Sequence, residues 1–303
     1  MFTVINAPGG AERIGFSQVE APVAAANQVL VDVRAFSVNR GELGLLDARP
    51  AGWRPGQDIA GTVAAAAADA SGPAVGARVV GRVEGGGWAE QVAVDVGEVA
   101  VLPDEVSFAD AATLPVAGVT ALRTLRLGGN LLGQRVLVTA ASGAVGRFQV
   151  ELAAAGGALV TAVAGKRHED GLRALGAAEV VPETAAADGL FSLISESPGG
   201  ASLTAAISKI EPGGTIVLTG TTSGEPGTAS IYDFIGHEGA RIQSFLSYAT
   251  GPFGTDLGRL AALIAAGRLH PAIGYLDDWK SLPDALAAFA DRAFTGKAVL
   301  TIP

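Results

Sequence analysis

Apolar and polar residues alternate loosely through the first hundred positions. Residues 29–36 are β-branched with partial alternation and predict a strand, and 61–68, 75–83 and 88–94 predict three more. The last two are separated by the turn Glu84-Gly85-Gly86-Gly87. Short strands between glycine-rich turns point to a small β-barrel or sandwich.

From Ser107, a good helix N-cap, the period changes. Residues 108–127 predict a helix that Pro115 breaks or kinks. Strand and helix patterns then alternate. Strands are predicted at 135–140, 158–164, 179–181, 190–195 and 215–219, and helices at 145–155, 167–175 and 202–210. Such βαβ alternation implies a parallel sheet with crossover helices. The tail fits neither half alone. It holds a strand at 241–247, helices at 256–266 and 282–292, the latter with Pro283 in its first turn, and a last strand at 298–302.

Composition narrows the function. The 303 residues suggest two domains, and 49% hydrophobic against 17% charged supplies a sizeable core. A net charge of −9 argues against a nucleic-acid partner, which calls for a basic face. Neither a signal-peptide pattern in residues 1–10 nor an apolar run of membrane-spanning length is present, so the expected setting is cytoplasmic, with no membrane contact. The absence of cysteine excludes disulfides, a thiol nucleophile and a thiolate zinc site. Any redox chemistry must come from a bound cofactor.

The chemistry begins at Ala140-Ala141-Ser142-Gly143-Ala144-Val145-Gly146, where a strand runs into a glycine turn that opens a helix. That arrangement aims backbone N–H groups and the positive helix end at an anion. Gly143 lets the backbone approach a pyrophosphate, Gly146 lets helix and sheet pack closely, and Ser142 adds a hydroxyl. Dinucleotide sites that prefer NAD place an acid about 20 residues further on. Here that place reads Ala164-Gly165-Lys166-Arg167-His168, without a carboxylate. Lys166 and Arg167 suit a 2′-phosphate, so the expected cofactor is NADP(H).

Five blocks in order, Phe36 to Glu42, Pro55 to Gly61, Ala111 to Ala121, Ala140 to Gly146 and Gly296 to Ile302, resemble the zinc-independent quinone oxidoreductase branch of the medium-chain dehydrogenase/reductase superfamily. The resemblance implies an α/β architecture, a Rossmann dinucleotide-binding domain inserted in a GroES-like β-barrel catalytic domain. The catalytic domain would comprise 1–106 and 248–303 and the Rossmann domain 107–247, with the active site in the cleft. Zinc-dependent relatives carry a Cys in the first block and Gly-His-Glu in the second, where this chain has Gly56-Gln57-Asp58. Gly236-His237-Glu238 spells that motif elsewhere and reads as coincidence.

The resemblance further implies that Asn39 and Thr120 lie near the nicotinamide and its ribose. It places Gly220 and Thr221 near the carboxamide, and Phe245 and Leu246 along the cleft. Arg292 matches an arginine that in some relatives reaches the 2′-phosphate. Against this, His168 stands where relatives often have Lys, and Glu183 where a Tyr can contact that phosphate. Hydride would pass to a small, flat, electron-poor acceptor such as a quinone, with a hydrogen-bond donor steadying the charge that develops on its oxygen. Asn39 is the first candidate donor and Gln57 the second. Glu42 and Asp58 either order the cleft or take part in catalysis, and Trp53 either stacks on a quinone or covers the barrel. Enone reduction at C=C and NADPH binding without turnover are the alternatives. A homodimer paired through the 241–247 edge is expected.

Overall fold

A computed structural model describes every residue except Ala11 and divides into two compact units, Met1–Val119 with Tyr248–Pro303, and Thr120–Ser247. The first unit opens with an antiparallel hairpin, β1 (Phe2–Asn6) and β2 (Ile14–Gln18). The long strand β3 (Gln28–Val38) follows, then helix α1 (Arg40–Ala48), β4 (Asp58–Ala65), β5 (Arg78–Arg82), β6 (Gln91–Asp95), β7 (Val99–Val101) and the short helix α2 (Phe108–Ala112). β3 alternates buried and partly exposed residues over its first half and is buried throughout at its end. Phe36 there stacks on Trp88 with ring centroids 5.9 Å apart, and both are fully buried.

The long helix expected over 108–127 is three pieces. Pro115 cannot supply a helical N–H, and the chain answers with a π-turn, Leu114–Gly118, before α3 (Val119–Arg126). By their contacts, residues 107–119 group with the first unit. The Arg78 guanidinium lies over the Phe108 ring, 4.7 Å from its centroid, and the Val116 N–H donates to Asp58 Oδ1 at 2.9 Å.

The second unit carries β8 (Arg135–Val138), α4 (Ala144–Ala155), β9 (Leu159–Val163), α5 (Glu169–Ala174), β10 (Glu179–Val181), β11 (Phe191–Glu196), α6 (Gly200–Ile207), β12 (Ile210–Leu218) and β13 (Arg241–Ser244). Its six strands are all parallel, in the order β10-β9-β8-β11-β12-β13. The order reverses between β8 and β11, and nucleotides bind outside the carboxyl ends of strands at such a reversal. Apolar helix faces cover both sides, with Val150, Ala153 and Leu172 in one layer and Ala206 and Ile207 in the other. β13 is the exposed edge.

The chain then returns to the first unit with α7 (Gly254–Ala265), β14 (Ile273–Asp278), α8 (Leu282–Ala290) and β15 (Lys297–Thr301). β15 pairs antiparallel with β3 and sets Ala298 opposite Val38, while β4 sets Asp58 opposite Ser37. These two registers bring Lys297, Asn39 and Asp58 together. Among the described residues, no helix is long and apolar enough to cross a membrane.

Candidate functional site

In the second unit, Thr139 ties the ends of β8 and β11 together. Its Oγ1 donates to the Ser195 carbonyl at 2.9 Å and accepts from the Ser197 N–H at 3.0 Å. Ala140 follows at φ +48°, a left-handed conformation that suits glycine better than alanine, and its carbonyl accepts the Gly143 N–H at 2.9 Å. α4 starts immediately after, with Gly143 as N-cap and no side chain capping it. The opening amides of Ala144, Val145 and Gly146 therefore sit at a helix start with no side chain serving them, the arrangement that receives phosphate oxygens. Ser142 and Val145 are partly exposed and Gly143 is exposed.

Gly146 is required by packing. A Cβ there would stand 2.6 Å from the Ala140 oxygen and 2.7 Å from Ala141 Cα. Gly146→Ala is therefore expected to cost about 1–3 kcal/mol by pushing α4 off the turn, and to weaken nucleotide binding with it. Urea unfolding followed by far-ultraviolet circular dichroism, beside a nucleotide titration, checks this. Wild-type values in both would refute the close packing.

A cation cluster lies at the carboxyl end of β9. Lys166 and Arg167 are exposed on a 3₁₀ turn, and the Arg167 Nε–H donates to His168 Nε2 at 3.0 Å. Partial burial, then Arg167, then Arg147 hold the His168 ring below the usual histidine range. Arg147, which sequence reasoning missed, projects from the first turn of α4. Its Nε is buried with no hydrogen-bond partner among the described residues, and burial lowers its pKa. A cation in a first helical turn is opposed by the helix dipole, which an arriving anion would offset. Its place directly after Gly146 was the available signal.

Behind the turn, Gln149 Nε2 donates to Thr124 Oγ1 at 2.8 Å and to Ser195 Oγ at 2.6 Å. Thr124 Oγ1 in turn donates to the Thr120 carbonyl at 2.7 Å, one turn back along α3, and Thr120 is buried. Gly220 and Thr221 begin an exposed loop after β12, held at the end of β11 by the Thr222 N–H donating to the Ser197 carbonyl at 3.1 Å. Phe245 packs partly into the sheet core and Leu246 is exposed. Buried Glu196, at the end of β11, was also missed. Desolvation raises its pKa, and it accepts the Gly199 N–H.

The first unit gathers Asn39, Glu42, Gln57 and Asp58, and adds Lys297 and Ser37. Lys297 Nζ donates to Asn39 Oδ1 at 2.6 Å and to Asp58 Oδ2 at 2.9 Å. Asn39 Nδ2 donates to the same Asp58 oxygen at 2.8 Å. Ser37 Oγ stands 2.7 Å from Asp58 Oδ2 and 2.8 Å from the Ala112 carbonyl, and its one hydrogen serves one of them at a time. Glu42, fully buried, accepts the N–H groups of Asn39 at 2.7 Å and Gln57 at 2.9 Å. Burial first, and then the Asp58 charge, push its pKa up to about 8. Both carboxyl groups thus order the segment that presents Asn39 and Gln57. The Asn39 amide keeps one hydrogen uncommitted, and the half-buried Gln57 side chain makes no hydrogen bond among the described residues.

Trp53 stands apart. It lines a pocket of about 440 Å³ with Arg54, Gly85 and Gly86, a lining that includes neither Asn39 nor Gln57. Arg292, in the first unit after α8, is at φ +55° and depresses the Arg40 pKa after burial does. His237 bonds the Ile210 carbonyl through Nδ1, which gives that histidine a structural task at the start of β12. Among the described residues no group of three or more His, Cys, Asp or Glu is placed to hold a metal.

Comparison with known proteins shows the family. Residues 25–104 match the alcohol dehydrogenase GroES-like domain, and residues 175–300 the family described as zinc-binding dehydrogenase. The spectinabilin polyketide synthase system protein NorB of Streptomyces orinoci is 33% identical over 94% of this chain and 14% of its own length. A chloroplast envelope quinone oxidoreductase homolog of Arabidopsis thaliana is 36% identical over 59% of this chain and 60% of its own. The chain thus spans less than two thirds of the length of either relative. A mycobacterial protein solved in complex with NADPH shares the fold, with a TM-score of 0.87 over the full length of both chains at 20% identity. The chain belongs to the medium-chain dehydrogenase/reductase superfamily, as a quinone oxidoreductase-like member.

Proposed function

We propose that the chain is an NADPH-dependent oxidoreductase that passes hydride, without zinc, to a quinone or similarly electron-poor carbonyl compound. The observation that carries this reading is the glycine-lined start of α4 at the strand-order reversal, with cations where an NAD site places an acid. The cradle fits the group, because Gly146 leaves no room for a side chain and the helix start has no side-chain cap. When bound, a reduced nicotinamide supplies the hydride. The chain's own residues bind, orient and polarise. Lys166, Arg167 and Arg147 receive the 2′-phosphate, and the α4 amides the pyrophosphate. Asn39, polarised by Lys297 at its carbonyl oxygen, offers its remaining hydrogen to the acceptor oxygen. The donor set around Gln57 does not suit zinc, since the amide is neutral and Asp58 is held by the Lys297 ammonium. We include in this reading a homodimer formed through the exposed β13 edge.

Enone reduction at C=C is the second reading. It is favoured by the match along 94% of this chain to a polyketide synthase protein rather than a quinone oxidoreductase. NADPH oxidation is measured with 1,2-naphthoquinone and an enone panel, with the products identified. Hydroquinone is the expected product; a saturated carbonyl would favour the second reading, and no acceleration by either class refutes turnover. Lys166→Ala with Arg167→Ala, which removes two charge-assisted contacts, is expected to weaken NADPH about tenfold or more and to leave NADH within about twofold. Equal loss for both nucleotides would count against the phosphate assignment.

A further inference from the structure

We propose that His168 makes recognition of the 2′-phosphate proton-linked, its ring binding a proton together with the phosphate, so that preference for NADPH over NADH strengthens as pH falls. The inference rests on the cofactor reading above and deepens it. Beside Lys166 and Arg167, the third member of the turn is the one side chain type whose charge ordinarily changes near neutrality.

In the nucleotide-free arrangement the ring is used as an acceptor. Arg167 Nε–H points at His168 Nε2, so the ring is neutral with its hydrogen on Nδ1. The charges acting on it are all positive, Arg167 on its own turn and Arg147 from α4, and they oppose its protonation. The carboxylates that follow give little relief. Glu169 is engaged by Arg173 at 2.9 Å, and Asp170 is exposed. A phosphate dianion arriving among Arg147, Lys166 and Arg167 reverses that balance. It compensates the two arginines and favours the imidazolium. Once protonated, Nε2 no longer accepts, so the Arg167 Nε–H is released and the ring gains a donor. Two new contacts then become available to the same phosphate.

The sign is open to measurement because the ligand's own titration runs the other way. A phosphate monoester loses its second proton near pH 6, so by itself it binds a cationic site more weakly as pH falls. The ratio of the NADH to the NADPH dissociation constant, taken by calorimetry between pH 8 and 6.5, is expected to rise about three- to tenfold in the wild-type chain. His168→Gln should hold the ratio near its alkaline value. His168→Lys should give a high ratio at every pH. Titrations in buffers of different ionisation enthalpy should show proton uptake with NADPH in the wild type and none in either variant. NADPH preference with the same pH dependence in His168→Gln would overturn this inference and leave the cofactor reading standing. Equal binding of NADPH and NADH at every pH would overturn both.

Discussion

Lys297→Met is expected to destabilise the first unit by about 3–5 kcal/mol, the usual cost of breaking a buried ion pair from one side. Lys297 is 1% exposed and Asp58 fully buried. With the ammonium gone, one carboxylate keeps its neutral donors, the Asn39 amide and the Val116 N–H, but has no counter-charge. The effect is readable without interference from the other unit, because all three tryptophans, Trp53, Trp88 and Trp279, lie in the first. Urea unfolding followed by tryptophan fluorescence should therefore show a large fall in midpoint. Adding Asp58→Asn should recover part of the loss, since the orphaned charge is then removed, and the double-mutant cycle should give a coupling of about 1–3 kcal/mol. A Lys297→Met stability within about 1 kcal/mol of wild type would show that the pair does not tie β15 to β4 across β3.

That pair also marks where the sequence stops being legible. Strand–helix alternation and the glycine turn betray the second unit because both are local, and periods of two and 3.6 residues survive in a short window. The resemblance supplied the return of the tail to the first unit. Neither showed that Lys297 would meet Asn39, 258 positions away, because that depends on the register of β15 on β3. Helix α1 was missed for another reason. Gly41 and Gly44 lower its propensity, and it is set instead by Glu42 reaching back to the Asn39 N–H, half of a capping box readable as Asn-x-x-Glu. The hairpin β1–β2 and the strand β14, whose residues are at most half-buried, carry too little apolar alternation to stand out. The glycine turn at 143–146 was legible because backbone packing demands glycine there. Arg147 was not, since its meaning depends on where a helix begins. Asn39 and Gln57 were nominated by resemblance, and the geometry adds what holds them.

Glu42 is expected to make the first unit less stable as pH rises, the reverse of most carboxylates. Its pKa is held at about 8 in the folded chain, against 4.5 when unfolded. Between those values the native state keeps a proton that the unfolded chain has released. Stability from this group is therefore complete below about pH 4.5 and is lost at up to about 1.4 kcal/mol per pH unit until the folded group ionises. The cause is burial, reinforced by the nearby Asp58 charge and only partly offset by Lys297 and the two N–H donors. Glu42→Gln removes the titration but not the shape. It also loses one acceptor, because an amide nitrogen cannot take the N–H that a carboxyl oxygen takes from Asn39 or Gln57, which costs about 1–2 kcal/mol. At pH 5 the variant should thus be the less stable protein. Toward pH 8 the wild type should fall relative to it by on the order of 2–4 kcal/mol, and the two should draw level or cross. Tryptophan-detected urea midpoints at pH 5, 6.5 and 8 test this, since every other titrating group is common to both proteins. Parallel pH profiles would mean that Glu42 is already ionised in the folded chain, and that Lys297 neutralises two carboxylates rather than one.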